Sequence, residues 1–132
     1  MTTEIFWLTA TSLMTSVIWV PYILNRFVEM GVFNAILKTD ADTTPKAIWA
    51  TRLMKAHKNA VENLVIFAAL VLCVQTMGLN TELTALAATT YFYARLTHII
   101  GFTFSIPFVR TVSFLIGFAC QLVLGLSVLG ML

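Results

Sequence analysis

Charge is scarce in this chain. Acidic and basic residues make up 11% of its 132 positions, against roughly a quarter in a soluble domain. Residues 5–24, 64–79 and 112–132 contain no Asp, Glu, Lys or Arg. With 59% of the chain apolar, a water-soluble globule is excluded. The net charge of +2 is too small and too scattered for a nucleic-acid partner. The two cysteines, Cys73 and Cys120, fall inside apolar stretches without metal-ligand spacing and read as buried fillers. No Ser-His-Asp grouping, glycine-rich phosphate loop or CxxC is present, so familiar soluble-enzyme chemistries are unsupported. No basic segment precedes the first apolar stretch and no cleavage site ends it, so it is expected to stay rather than leave as a signal peptide.

What is there is membrane-sized. A hydrocarbon core of about 30 Å needs about 20 apolar residues of helix. The first and last charge-free runs meet that length alone, and the middle supplies two more spans that carry polar residues. The expectation is an all-α, integral membrane four-helix bundle, a single domain over residues 1–132 with helices at about 4–28, 47–77, 81–104 and 108–131. Trp7 and the Trp19-Val20-Pro21-Tyr22 run place interfacial rings toward the ends of the first span, and Pro21 is positioned to kink it. Residues 38–45 read as a solvated loop, with Thr44 capping the second span and Pro45 in its first turn. Met77-Gly78-Leu79-Asn80-Thr81 is a short turn that makes the second and third spans antiparallel neighbours.

Cations set the orientation. Arg26, Lys38, Lys46, Arg52, Lys55, Lys58 and Arg110 all fall at one end of the bundle, whereas the other end offers Glu4 and Glu82 and no cation. The positive-inside rule puts the basic end in the cytoplasm and both termini on the far side of a multi-pass protein. A short chain of this kind suits a bacterial inner membrane better than an endoplasmic reticulum.

The second span opens with polar residues. Arg52, Lys55, Asn59 and Glu62, at i, i+3, i+7 and i+10, stack along one helical face. The third span adds Arg95 and His98. A charge at mid-bilayer costs about 2.5–3.5 kcal/mol, so such residues face a partner or a watery cleft. For Glu62 and Arg95 alone, a structural ion pair explains their presence as well as a site does. Single lysines or arginines near the span's end are explained by snorkelling to head groups. The set Asn59, Glu62, Arg95 and His98 goes further and suits an anionic ligand. His57 and His98 lack a third ligand at metal spacing, so no metal site is expected. Tyr91, Phe92 and Tyr93 read as packing.

The run Arg52-x-x-Lys55-Ala56-His57-Lys58-Asn59-x-x-Glu62-Asn63 resembles the second-helix signature of the MAPEG proteins, the membrane-associated proteins of eicosanoid and glutathione metabolism. Ala94-Arg95-Leu96-Thr97-His98-Ile99-Ile100-Gly101-Phe102, followed by Pro107 and Arg110-Thr111-Val112-Ser113-Phe114, resembles the third-to-fourth-helix region of microsomal glutathione transferases and prostaglandin E synthase. The resemblance covers nearly the whole chain. It implies a homotrimer in the lipid bilayer, with glutathione as co-substrate between adjacent subunits and a hydrophobic small-molecule electrophile as its partner, in a detoxifying role. Arg26, Lys55, Lys58, Asn59, Glu62, His98 and Thr111 would line the glutathione cleft. Arg110 would be the catalytic residue. A thiol with a pKa of about 8.5 is mostly protonated at neutral pH, and a guanidinium beside it favours the nucleophilic thiolate.

The chain departs from the family pattern in several places. Phe102 and Phe114 stand where tyrosines are common, and Lys55 and Lys58 replace arginines and lose the bidentate fork. The interval from Pro107 to Arg110 is one residue longer than usual. Two functions therefore compete: a glutathione transferase or peroxidase acting on hydrophobic electrophiles, and a non-catalytic lipid- or ligand-binding module of the same family. A small proton-coupled drug transporter fits the span count, but it needs an acid deep in the first helix, and Glu4 lies at its start.

Overall fold

A computed structural model describes residues 1–39, 42 and 44–132. Six helices follow in order: α1 Thr3–Val17, α2 Trp19–Met30, α3 Val32–Leu37, α4 Ile48–Thr76, α5 Glu82–Thr103 and α6 Val109–Val128. The helices pack as an all-α, membrane-spanning four-helix bundle in which α1 and α2 together make the first member.

The first span is interrupted at Ile18, where one helix ends and the next begins. Pro21 has no N–H to offer the carbonyl of Val17, so the ladder breaks one turn before the ring. The two halves remain one apolar unit of 28 residues, Thr3–Met30. That unit, α4 and α6 are each long and apolar enough to cross a membrane. At 22 residues α5 is about 33 Å long, but Arg95, His98 and a series of threonines make it less apolar. It sits at the centre of the bundle against α1, α4 and α6. Its polar groups Thr84, Arg95 and His98 are buried there, turned away from lipid. Leu13, Val65, Leu115 and Leu122 are exposed on the outer helices and form an apolar exterior of the kind a membrane requires.

The segment after the first span is more ordered than its composition suggested. Gly31, at φ 82, turns the chain into α3. Of the expected loop, Asp40, Ala41 and Thr43 lie outside the described residues. Thr44 does not cap α4. The N-cap is Ala47, which has no side-chain oxygen to serve the first turn. The Glu29 carboxylate reaches across from α2 and accepts from the Lys46 and Ala47 amides at 3.1 Å, and Asn25 donates to it at 3.0 Å. A fixed negative charge at a helix N-terminus is favourable. It ties the end of α2 to the start of α4.

At the opposite end, α4 closes with Gly78 at φ 66 and a bond from the Leu79 amide to the Val74 carbonyl at 2.9 Å. Thr81 and Thr84 form a capping box that starts α5. Thr84 also donates to Glu4, which is only 2% exposed, and the Thr2 hydroxyl donates to Gln75 at 2.6 Å. These bonds join α1, α4 and α5 at the end away from the cations. Between the two ends the core holds Phe67, Val71, Ala88, Tyr91 and Leu124, with Phe67 and Tyr91 stacked at 3.8 Å. Trp7 packs against Phe92 at 5.0 Å and Tyr93 at 5.4 Å.

Candidate functional site

The apolar stripe of α4 that faces the protomer core is Ala50, Leu53, Ala56, Ala60, Phe67, Val71 and Val74. The polar stripe runs beside it, drifting because successive residues turn by about 100°. Arg52 and Asn59 lie at the edge of the contact and are half-buried. Lys55, Lys58 and Glu62 are exposed.

This drift corrects the expected ion pair. Arg95, 2% exposed, donates from Nη2 to Asn59 Oδ1 at 2.5 Å. Glu62, about 60° further round α4, is exposed instead of facing Arg95. A neutral amide thus partners the buried guanidinium within the protomer. Its Nε finds no hydrogen-bond partner among the described residues, and neither do His98 Nδ1, Tyr91 Oη and Arg26 Nε. Buried polar atoms without partners are uncommon in folded proteins.

The turn between α5 and α6 builds the other part of the site. A Cβ on Gly101 would lie 2.7 Å from Val109 Cγ1 and 3.1 Å from the Arg110 amide, so only glycine permits this approach. The turn carries positive φ at Ser105 (53) and Phe108 (65). Arg110, exposed, places its guanidinium 5.0 Å from the Phe102 ring centroid. His98, 2% exposed, lies behind with its ring 5.7 Å from Phe102 and 5.9 Å from Phe114. A small cavity of about 150 Å³ beside them is lined by Gly101, Ser105, Pro107, Arg110 and Thr111 among others. A larger apolar groove of about 460 Å³ between α5 and α6 is lined by Thr90, Tyr93, Val112 and Ile116 among others, and includes none of Phe102, His98 and Arg110.

The chain therefore brings Arg110 and Thr111 together at the α5–α6 turn, with His98 across the Phe102 ring from Arg110, and links Asn59 to Arg95. It leaves Lys55, Lys58 and Glu62 pointing outward and does not bring them to Arg110. Arg26 is half-buried on α2. Near it, Tyr22 Oη and His57 Nδ1 lie 2.7 Å apart and join α2 to α4. Neither that link nor the Glu29 clamp was read from the sequence. A tyrosine four residues before an arginine, and a carboxylate just before a glycine break, were the available signals.

A bundle of apolar helices with its arginines and lysines gathered toward one end is a polytopic helical membrane protein. The MAPEG family model matches residues 5–130, nearly the whole chain, and the protein belongs to that family. It is a family of helical membrane proteins that use glutathione. No curated protein and no solved structure matches the chain significantly.

Proposed function

We propose that this protein is a glutathione transferase or peroxidase-like enzyme of the membrane, one that activates the glutathione thiolate for attack on hydrophobic electrophiles. The observation that carries the reading is the position of Arg110, a cation at the start of α6 whose guanidinium lies 5.0 Å from the Phe102 ring, itself packed 5.7 Å from His98, with Thr111 beside it in the same small cavity, in a chain of the MAPEG family. The tripeptide carries two carboxylates and one ammonium. Arg26, Lys55 and Lys58 suit the carboxylates, Glu62 the ammonium, and Asn59, His98 and Thr111 the amides. Arg110 would stabilise the thiolate, whose proton leaves to the aqueous face; the sulfur then bonds to the electrophilic carbon as that carbon's leaving group departs with the bonding pair as an anion.

The outward placement of Lys55, Lys58 and Glu62 supports a site completed by a second copy, in a homotrimer. The cavity at Arg110, about 150 Å³, falls below the usual ligand-pocket range of roughly 300–1,000 Å³, in keeping with a missing wall. In this reading residues 1–132 form one transmembrane domain in a bacterial inner membrane, with the basic end cytoplasmic and both termini outside the cytoplasm. Purified protein with saturating glutathione is expected to show thiolate difference absorbance in the ultraviolet, abolished by Arg110→Ala. No thiolate from the unaltered protein overturns the reading.

One observation favours the alternative of a non-catalytic lipid- or ligand-binding module. Phe102 and Phe114 pack their tilted rings against His98 and carry no hydroxyl to donate to sulfur. That reading expects a hydrophobic ligand, and not glutathione, to raise the melting temperature of the purified protein.

A further inference from the structure

Phe102 and Arg110 meet across a turn whose backbone is fixed at several points. The Ile106 amide bonds to the Gly101 carbonyl at 2.9 Å and the Ser105 amide to Phe102 at 3.3 Å. The Val112 amide bonds to Phe108 at 2.8 Å. Gly101 admits the Val109 and Arg110 backbone against α5. The Phe102 ring is itself backed by the buried His98 ring. A rigid aromatic face is thereby held beneath a side chain that would otherwise sample many rotamers.

We propose that Phe102 is a positioning residue, whose ring face holds the Arg110 guanidinium in place at the mouth of the site. The idea rests on the glutathione reading for its chemical consequence. The attraction is between the cation and the negative face of the ring. It consumes none of the five N–H donors of the guanidinium, so all remain available to an anion such as a thiolate. A tyrosine hydroxyl in this place would add a partner in the ring plane, but it is the ring, not the hydroxyl, that orients Arg110. The phenylalanine here is thus a different solution to aiming the cation rather than the loss of a function.

The test uses Phe102→Leu and Phe102→Met, which remove the ring, beside Phe102→Tyr and Phe102→Trp, which keep one. Two readouts are taken on the purified full-length protein in detergent. Without glutathione, the Arg110 side-chain Nε–Hε nuclear magnetic resonance signal, assigned by its loss in Arg110→Lys, carries the ring-current shift of an overlying aromatic. It is expected to move downfield in the two aliphatic variants and to stay ring-shifted in the two aromatic ones. With saturating glutathione below the thiol midpoint, thiolate absorbance is expected to fall about two- to fivefold in the aliphatic variants, the range of an exposed cation–π contact. The aromatic variants rescue it.

An Arg110 signal that does not respond to removal of the ring overturns the proposal. So does a thiolate loss in Phe102→Tyr as large as in Phe102→Leu. If the unaltered protein forms no thiolate, the glutathione reading falls, and the resonance shift alone decides the role of Phe102. Phe102→Met repeats the measurement should Phe102→Leu fail to fold.

Discussion

Arg95 on α5 donates to Asn59 on α4 at 2.5 Å from a position that is 2% exposed. The acid in the same polar stripe, Glu62, is exposed and does not meet it. Neutral interhelical hydrogen bonds in membranes average only about 0.6 kcal/mol. A bond to a buried charge is stronger, because its loss strands the guanidinium.

Asn59→Leu is therefore expected to destabilise the protein by about 1.5–3 kcal/mol, measured by denaturation in detergent. Glu62→Gln is expected to leave the stability of the isolated protomer nearly unchanged. A larger loss in Glu62→Gln than in Asn59→Leu would contradict the assignment.

Gly101 and Gly125 make a contrasting pair. A Cβ at Gly101 runs into Val109 and the Arg110 backbone, whereas at Gly125 it meets only Leu70 Cδ2 at 3.7 Å, an ordinary contact. Gly101→Ala should cost about 1–3 kcal/mol through overpacking. Gly125→Ala should be neutral or stabilise by about 0.5–1 kcal/mol through helix propensity. The melting temperature is expected to fall in Gly101→Ala and to hold or rise in Gly125→Ala.

Glu29 caps α4 through the amides of Lys46 and Ala47, seventeen and eighteen residues further along the chain. Glu29→Ala is expected to release the Lys46 and Ala47 amides, so hydrogen exchange should accelerate there and in the first turn of α4. The amides of α6 serve as an internal reference and should exchange as before.

Thr84 serves two partners, Glu4 on α1 and the capping box with Thr81. Thr84→Val keeps the shape but removes the hydroxyl that donates to Glu4 and accepts from the Thr81 amide, leaving the bond from the Thr84 amide to the Thr81 hydroxyl, and a loss of about 1–3 kcal/mol is expected. Thr84→Ser retains the hydroxyl and should recover most of it. Equal losses in the two variants would assign the effect to packing.

Much of this architecture is written in the order of residues. The three charge-free runs specify apolar helices because an unpaired backbone cannot cross hydrocarbon, and Gly78 and Thr81 mark the turn between α4 and α5 as turn chemistry requires. Pro21 likewise marked the interruption of the first span. The stripe at 52, 55, 59 and 62 was legible as polar, and the match to the MAPEG family bears out the resemblance read from it.

The tertiary structure decided which members of that stripe face inward. A helical period of 3.6 spreads residues seven and ten positions apart over different directions, and only the position of α5 settles that Asn59, not Glu62, meets Arg95. It also decided that the cap of α4 comes from Glu29 on another helix rather than from the adjacent Thr44. A hydrogen bond across seventeen residues leaves no local pattern. Composition thus determined that the chain spans a membrane, because transfer into hydrocarbon depends on each residue's own chemistry. Packing determined where its few charges point, because that depends on which helix stands beside which.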